Sequence, residues 1–349
     1  MKSSSHGTLY RQYRPQDFDE VRGQEQVTET LKKSIKNGKI AHAYLFSGGR
    51  GTGKTSVARI LAAALGVSSK DLYEIDAASN TGVDNIRELR EGVQTSPFDS
   101  KYKFYIIDEA HMLSKAAWNA LLKTLEEPPA HAIFVLATTE RDKVPDTIQS
   151  RCEVYTFAQP TREVLTQAVT DVAKKEGYTL ERSAAELIAL LAEGSFRDAL
   201  SILQKVLAVS NDKKIDVAEV EAVSGAPRGE IVRELLSGIA KKDATRALGA
   251  IQKAVAGNMD ARVLAKLLIH RMRVVLLMRY APDLATEFSK EISSEDAVLA
   301  KEIAKDPGVN SETLRRLLDA YAIMAYAAVP HLPLELAVID ICENAIKSA

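Results

Sequence analysis

Over the first ~160 residues, short unbroken apolar runs alternate with longer segments whose apolar positions recur every three or four residues. AYLFSG (43–48), LYEIDAAS (72–79), KFYIIDE (103–109) and AIFVLATT (132–139) read as strands. Between them TSVARILAAAL (55–65) reads as a helix, and Val83, Ile86, Leu89 and Val93 share a helical face behind the capping pattern Thr81-x-x-Asp84. MLSKAAWNALLKTLEEPP predicts a further helix, stopped by Pro128 and Pro129. Continuous apolar strands interleaved with helices predict an α/β fold, a parallel sheet with helices on both faces. TIQSRCEVYTF (147–157) adds an alternating strand that opens just after Arg151.

After Pro160 the strand signals stop. Ser183-x-x-Glu186 and Ser195-x-x-Asp198 predict capped helices, with Gly194 ending the first. SGAPRG (224–229) reads as a linker into amphipathic helices, and the polar segment 281–312 is broken by Pro282 and Pro307. The expected division is an α/β domain at 1–159, a small helical domain at 160–222 and a second helical domain at 223–349.

Composition narrows the function. Across 349 residues, 46 Lys+Arg stand against 47 Asp+Glu, a net charge of −1. This excludes a wholly basic nucleic-acid binder but not a local basic patch. Cys152 and Cys342 are the two cysteines, too few for a four-ligand zinc site. The opening MKSSSHGTLYRQYRP has no apolar signal core, and VLAKLLIHRMRVVLLM (263–278) carries Lys266, His270, Arg271 and Arg273. That run is too short and too charged for a bilayer, so the expectation is a cytoplasmic protein without a membrane span.

GGRGTGKT (48–55) fits the phosphate-loop pattern G-x-x-x-x-G-K-[ST], between a strand and a helix as that pattern requires. Its glycines let backbone N–H groups turn toward phosphates, Lys54 reaches the β and γ oxygens, and the Thr55 hydroxyl serves Mg²⁺. Lys54 opposes the helix dipole by roughly 0.3–1 kcal/mol unless phosphate is present. In FYIIDEAH, Asp108 is placed to hold Mg²⁺ through water and Glu109 to polarise an attacking water. The same acids would also suit an ordinary helix start. Thr138, at the end of the next apolar run, is placed to meet the terminal phosphate, although threonine is also a good strand former. Arg197, in the first turn of a capped helix, again opposes the dipole; it suits either a nucleotide phosphate or a surface pair with Asp198 or Glu193. His111 receives no role at this stage.

These pieces, in this order, resemble the AAA+ ATPases of the clamp-loader branch, most of all the gamma/tau family of bacterial DNA polymerase III. The strings that carry the resemblance are YRQYRPQDFDEVRGQEQV (10–27), HAYLFSGGRGTGKTSVAR (42–59), EIDAASNTGVDNIREL (74–89), YIIDEAHMLSKAAWNALLKTLEEPP (105–129), FVLATTERDKVPDTIQSRC (134–152) and GSFRDALS (194–201). The likeness is dense to about residue 210 and diffuse beyond it. It implies an AAA+ nucleotide-binding domain, a helical lid and a C-terminal helical collar. The implied activity is ATP hydrolysis with Mg²⁺, used to load a sliding clamp onto primer–template DNA within an oligomer, pentameric in the family, of clamp-loader subunits.

By resemblance, Tyr10, Arg11, Arg14, Pro15 and Val21 line the adenine pocket. Gly48, Gly51, Thr52, Gly53, Lys54, Thr55 and Ser56 hold the phosphates, and Asp108 and Glu109 form the catalytic acid pair. Thr138 and Arg197 are sensors, and Arg151 in Ser150-Arg151-Cys152 is a finger offered to a neighbouring subunit. One departure is clear. The family usually carries a four-cysteine zinc module before the EIDAAS strand, whereas LAAALGVSSKDLYEIDAAS runs through without a cysteine, so no zinc is expected. The shorter form also resembles small subunits of replication factor C. The chain ends at residue 349 without a long tail, a gamma-like extent. DNA backbone contacts are expected from the helix beginning near Thr81 and from Lys115. Two other readings are disfavoured: a non-hydrolysing scaffold that only presents Arg151, because Lys54, Thr55, Asp108 and Glu109 are all present, and a helicase, because DEAH occurs there as well but no downstream helicase motif set follows and the helical domain with Arg197 points elsewhere.

Overall fold

The apolar runs do become neighbouring strands: β1 (Ala43–Gly48), β2 (Leu72–Asp76), β3 (Lys103–Asp108), β4 (Ala132–Thr138) and β5 (Glu153–Phe157). In the computed structural model, which describes residues 7–79, 89, 91–210, 212–283, 294–306 and 309–346, they pair in parallel in the order β2-β3-β4-β1-β5. Strand alternation sends neighbours to opposite faces. Tyr44, Phe46, Phe104, Ile106 and Val135 pack with Leu31 of helix α2 (Glu25–Lys36) and with Val57 and Leu61 of α3 (Lys54–Ala64). Leu45, Tyr105, Ile107, Phe134 and Leu136 pack on the other face against Trp118, Leu121 and Leu125 of α4 (Lys115–Glu126), which Ser114 caps through the Ala117 N–H. A short helix, α1 (Leu9–Gln12), precedes these layers, and another, α5 (Asp146–Gln149), precedes β5.

Register matters more than the strands themselves. Ser47 pairs with Thr138, Ile107 with Leu136 and Asp76 with Asp108. The carboxyl ends of β1, β3 and β4 therefore finish side by side, where open α/β sheets place their ligands.

The chain divides into two compact units, Met1–Ala168 with Ala192–Ser201, and Val169–Leu191 with Ile202–Ala349. The segment bearing Arg197 thus belongs to the unit that holds the sheet. The second unit is mainly helical, with a core built from α10 (Gly229–Ala240), α11 (Ala244–Ala256), α12 (Ala261–Tyr280), α14 (Ser311–Ile323) and α15 (Leu332–Ile346), among them Leu235, Ile251, Leu268, Leu317 and Val338. Its other helices include α7 (Arg182–Leu191), α9 (Val217–Ser224) and α13 (Ser294–Ile303); α6 (Arg162–Lys175) and α8 (Phe196–Val209) run from one unit into the other. Among the described residues, no helix is long and apolar enough to cross a membrane.

Some local expectations fail. Strand structure does return after Pro160, as two-residue strands at Thr179–Leu180 and Lys214–Ile215 that pair in parallel. Ser183 lies inside α7 instead of capping it, because the helix starts at Arg182 and Glu186 is taken by the Arg182 guanidinium at 2.7 Å. The Ser195 cap holds, with its hydroxyl accepting from the Asp198 N–H at 3.2 Å. The pattern Thr81-x-x-Asp84 lies outside the described residues, whereas Leu89 and Val93 of that face are buried.

Immediately before β2, Asp71 is fully buried and accepts from the N–H groups of Phe98 (2.6 Å), Asp99 (2.8 Å) and Ser100 (2.8 Å). Burial alone would raise its pKa, but these bonds and the Ser100 hydroxyl bring it down to about 2, from an ordinary 3.8. A depressed carboxyl stabilises the fold fully above its unfolded value and loses that contribution as pH falls through the folded one. Asp71→Ala should lose about 1–3 kcal/mol at pH 7, since three part-buried N–H donors lose their acceptor. Urea titrations should show that gap to wild type narrowing as pH drops from 3.8 toward about 2.

Candidate functional site

The loop from Gly48 to Gly53 joins the buried strand β1 to α3, and its course requires backbone that side chains resist. Gly48 has φ 151°, and a Cβ there would collide with the Phe157 carbonyl oxygen. Gly51 has φ 70°, and a Cβ there would collide with the Ser195 hydroxyl. The Gly51 carbonyl also accepts from the Phe196 N–H at 3.0 Å, which ties the loop to the start of α8. The buried Thr52 closes the turn by donating its hydroxyl to the Gly49 carbonyl at 3.0 Å.

Lys54, the first residue of α3, curls back so that Nζ donates to the carbonyls of Gly48 (2.8 Å) and Gly49 (2.7 Å). Burial pushes its pKa down, Glu109 and Asp108 oppose that shift, and Arg197 adds to it. Thr55 donates its hydroxyl to Asp108 Oδ2 at 2.8 Å, while Asp108 Oδ1 accepts from the Glu109 N–H at 3.0 Å. Ser56 follows in the same first turn, half-buried. A hydroxyl and a carboxylate sharing one hydrogen bond beside a phosphate-type loop offer the oxygen ligands that Mg²⁺ takes when it keeps several waters.

Beside them, Glu109 sits in the left-handed region at φ 49°, a conformation that a glutamate holds only when its surroundings impose it. Its carboxylate accepts from the Thr139 hydroxyl at 3.3 Å. Thr138 is fully buried; its Oγ1 accepts from the Glu140 N–H at 3.0 Å and lies 3.0 Å from His111 Nδ1.

The N-terminal segment supplies a cationic wall. The Arg197 guanidinium lies over the Tyr10 ring at 5.7 Å from its centroid, and Arg11 lies at 5.8 Å. The Tyr10 phenol is lowered by hydrogen bonds to Thr8 and Arg11, and by the charges of Arg11 and Arg197. Arg14 is lowered by burial first and then by Arg59, although Glu74, ion-paired with Arg59, partly offsets the repulsion. Pro15 is half-buried beside Arg14, and Val21 packs against the core on the α3 side of the sheet.

The structure thus gathers Tyr10, Arg11, Arg14, Gly51, Lys54, Thr55, Asp108, Glu109 and Arg197 within one unit. Arg151 does not join them. Its guanidinium is held by the Thr147 carbonyl (2.6 Å) and Glu126 (2.8 Å), and about a third of the side chain is exposed. Cys152 packs against the core on the α4 side, where burial raises its thiol to about 12, as expected of an inert residue. Lys115 is exposed at the start of α4.

Sequence reasoning passed over several supports. Gln24 is buried and donates to the carbonyls of Thr52 (3.3 Å) and Ala158 (2.7 Å), bracing the loop against the chain after β5. Gln159 lies against Gly49 and Gly194, within about 3.5 Å of where their side chains would start. Gln24 stands within the string YRQYRPQDFDEVRGQEQV (10–27) quoted above, and a polar residue at a helix entry was the available signal.

Two family models match the chain, together covering more than half of it. DNA polymerase III, delta subunit, matches residues 23–78 and 66–161, and DNA polymerase III clamp loader subunit, ATPase lid domain, matches residues 165–212. Similar curated proteins include DNA polymerase III subunit tau of Bacillus subtilis, 37% identical over 99% of this chain and 65% of the relative. Subunit gamma/tau of Mycobacterium tuberculosis is 38% identical over 80% of this chain and 52% of the relative. Subunit tau of Escherichia coli is 38% identical over 78% of this chain and 46% of the relative. The chain therefore spans about half to two thirds of these relatives. Among solved structures, the Thermotoga maritima RuvB Holliday junction branch migration motor shares the fold, with TM-score 0.53 and 24% identity over 65% of this chain and 79% of that one.

Gly51→Ala should destabilise the fold by about 1–3 kcal/mol through backbone strain and overpacking. Part of that arises against the Ser195 hydroxyl, so adding Ser195→Ala should give a double variant less destabilised than the sum of the singles. Chemical denaturation of the four proteins checks the cycle, and strict additivity would show that the loop and the α8 start do not press on each other.

Proposed function

The chain belongs to the gamma/tau family of DNA polymerase III clamp-loader subunits, and we propose that it is an ATP-hydrolysing subunit that loads a sliding clamp onto primer–template DNA. The observation that carries this reading is the Thr55–Asp108 hydrogen bond at 2.8 Å, which sets the phosphate loop and the acid pair at one place. In this reading the loop N–H groups from Gly48 to Ser56 cradle the phosphates. Lys54 leaves the Gly48 and Gly49 carbonyls for the β and γ oxygens. Thr55 and, through water, Asp108 would hold Mg²⁺, which would supply positive charge beside the phosphates. Glu109 orients the attacking water, and Thr138 and Arg197 register the terminal phosphate. Tyr10, Arg11, Arg14, Pro15 and Val21 enclose the adenine. A scaffold that never hydrolyses would have no use for an intact Lys54, Thr55, Asp108 and Glu109.

Arg151 is assigned to the neighbouring subunit's ATP, where its guanidinium stabilises charge spreading over the transferred phosphoryl. Its exposure and its surface partners, Thr147 and Glu126, suit a residue awaiting another chain. The proposed partners are other clamp-loader subunits in a pentamer-like ring, the sliding clamp and primer–template DNA, in the cytoplasm at the replicating nucleoid. Residues 1–159, 160–222 and 223–349 take the roles of ATPase domain, lid and collar, without structural zinc. Lys115, with the helix near Thr81, is assigned to the DNA backbone.

ATP turnover with clamp, primed DNA and companion subunits tests this reading. Lys54→Ala should abolish nucleotide binding. Arg151→Ala should retain binding and lose turnover, by as much as ~10³–10⁵ where an arginine finger is fully used. Mixing the two variants should restore some activity through pairs that join an intact loop to an intact finger. Absence of recovery in mixtures shown to co-assemble would refute the trans role of Arg151. Absence of stimulation by clamp and DNA would refute the loader itself.

A further inference from the structure

His111 is a buried titratable side chain to which the reading above gives no role, yet it touches the residues that do have one. Its Nδ1 lies 3.0 Å from Thr138 Oγ1 and 3.6 Å from Glu109 Oε2, and its Nε2 lies 3.3 Å from Glu140 Oε1. Only 7% of the side chain is exposed, so these contacts are not exchanged freely for water. Among the described residues, Glu109 and Glu140 are the charged groups that face the ring, and Lys143 engages the far oxygen of Glu140 at 2.8 Å.

A hydroxyl has one proton and two lone pairs. One lone pair of Thr138 Oγ1 is already filled by the Glu140 N–H at 3.0 Å. What remains is decided by His111. A carboxylate at Nε2 calls for Nε2–H, which leaves Nδ1 of a neutral ring as an acceptor. The Thr138 proton must then point at Nδ1, and the hydroxyl has nothing to donate to a phosphate. If Nδ1 instead carries a proton, it donates to the second lone pair of Thr138, whose own proton is released.

We propose that His111 is a positioning residue that sets the direction of the Thr138 hydroxyl, turning it inward when nucleotide is absent and toward the terminal phosphate when ATP is bound. The change adds one proton from solvent to Nδ1 while Nε2–H stays on Glu140, and no bond between heavy atoms forms or breaks. Glu109 Oε2, 3.6 Å from Nδ1, puts the carboxylate that orients water next to the same switch. This inference rests on the ATPase reading for its second half, whereas the inward hydroxyl of the free chain stands without it.

The test is a long-range ¹H–¹⁵N correlation spectrum of the full chain labelled at histidine, with His111 identified by the signal missing in His111→Gln. In the free chain Nδ1 should be the unprotonated nitrogen and Nε2 the protonated one. A non-hydrolysable ATP analogue with Mg²⁺ should protonate Nδ1, and ADP with Mg²⁺ should not. Nδ1 protonated in the free chain, a ring unchanged by the analogue when it binds, or the same response to ADP would each overturn the proposal. Failure to bind any nucleotide would instead strike the ATPase reading, and the free-chain spectrum would still decide the inward hydroxyl. In turnover, His111→Ala and Thr138→Val should each reduce kcat by about 10²-fold, the scale of losing one directed donor. Their combination should be no worse than the more severe single, and His111→Asn, whose amide N–H can stand in for Nδ1–H, should recover part of the loss. Multiplicative losses in the double variant would show that the two residues act independently.

Discussion

Asp108 meets Thr55 because of strand register, and most of the site depends on that meeting. Asp108 lies one residue beyond the buried apolar run of β3, and Thr55 is the second residue of the helix that follows the loop after β1. A slip of one residue in a parallel strand exchanges its two faces, exposing Ile107 or burying the carboxylate. The apolar packing of Phe104, Ile106, Tyr105 and Ile107 on opposite sides of the sheet therefore fixes the position of a charge that packing alone would reject. The hydrophobic core specifies the polar site by allowing one register.

Charge is the second constraint. Arg14 and Lys54 are both lowered, in each by burial first, with Arg59 and then Arg197 repelling Arg14 and Arg197 adding a smaller repulsion at Lys54. Asp108, Glu109 and Glu74 offset only part of this. Buried cations that are only partly compensated are under electrostatic load until an anion enters, and a polyphosphate brings several negative charges at once. The same load explains why Arg197 rests on the face of Tyr10, where the ring quadrupole gives a cation modest attraction without a fixed counter-charge.

What the sequence disclosed and what it hid follow from the range of the interactions involved. Strands β1, β3 and β4 were legible nearly to the residue because unbroken apolar runs ending in glycine, aspartate or threonine have few alternatives. Gly48, Lys54, Thr55 and Asp108 were legible because their chemistry demands fixed spacing. The two-residue strands at Thr179 and Lys214 are too short to carry any period, and Ser183 followed by Glu186 looks the same inside a first turn as at its cap. Asp71 and Gln24 find their partners 27 and 134 residues away, so no local pattern marks them. His111 could be seen but not interpreted, since its meaning lies in hydroxyl and amide groups from β4 and the residues after it.

Burial and hydrogen bonding tie part of the expected lid to the phosphate loop. Sequence assigned Gly194, Ser195 and Arg197 to a helical domain distinct from the phosphate loop, but the segment from Ala192 to Ser201 groups with the sheet. The cause is local: the Gly51 carbonyl takes the Phe196 N–H, Ser195 fills the space a side chain on Gly51 would need, and Gln159 fills the space beside Gly194. The loop from Gly48 to Gly53 is thereby braced by the residues that precede Arg197, the proposed sensor. Movement of the Gly51 peptide cannot leave Phe196 unaffected, because a buried N–H that loses its carbonyl must find another acceptor. Gly51 is thus connected to α8 by one hydrogen bond, to Phe196, whose chain neighbour is Arg197, with no strand of the sheet in between.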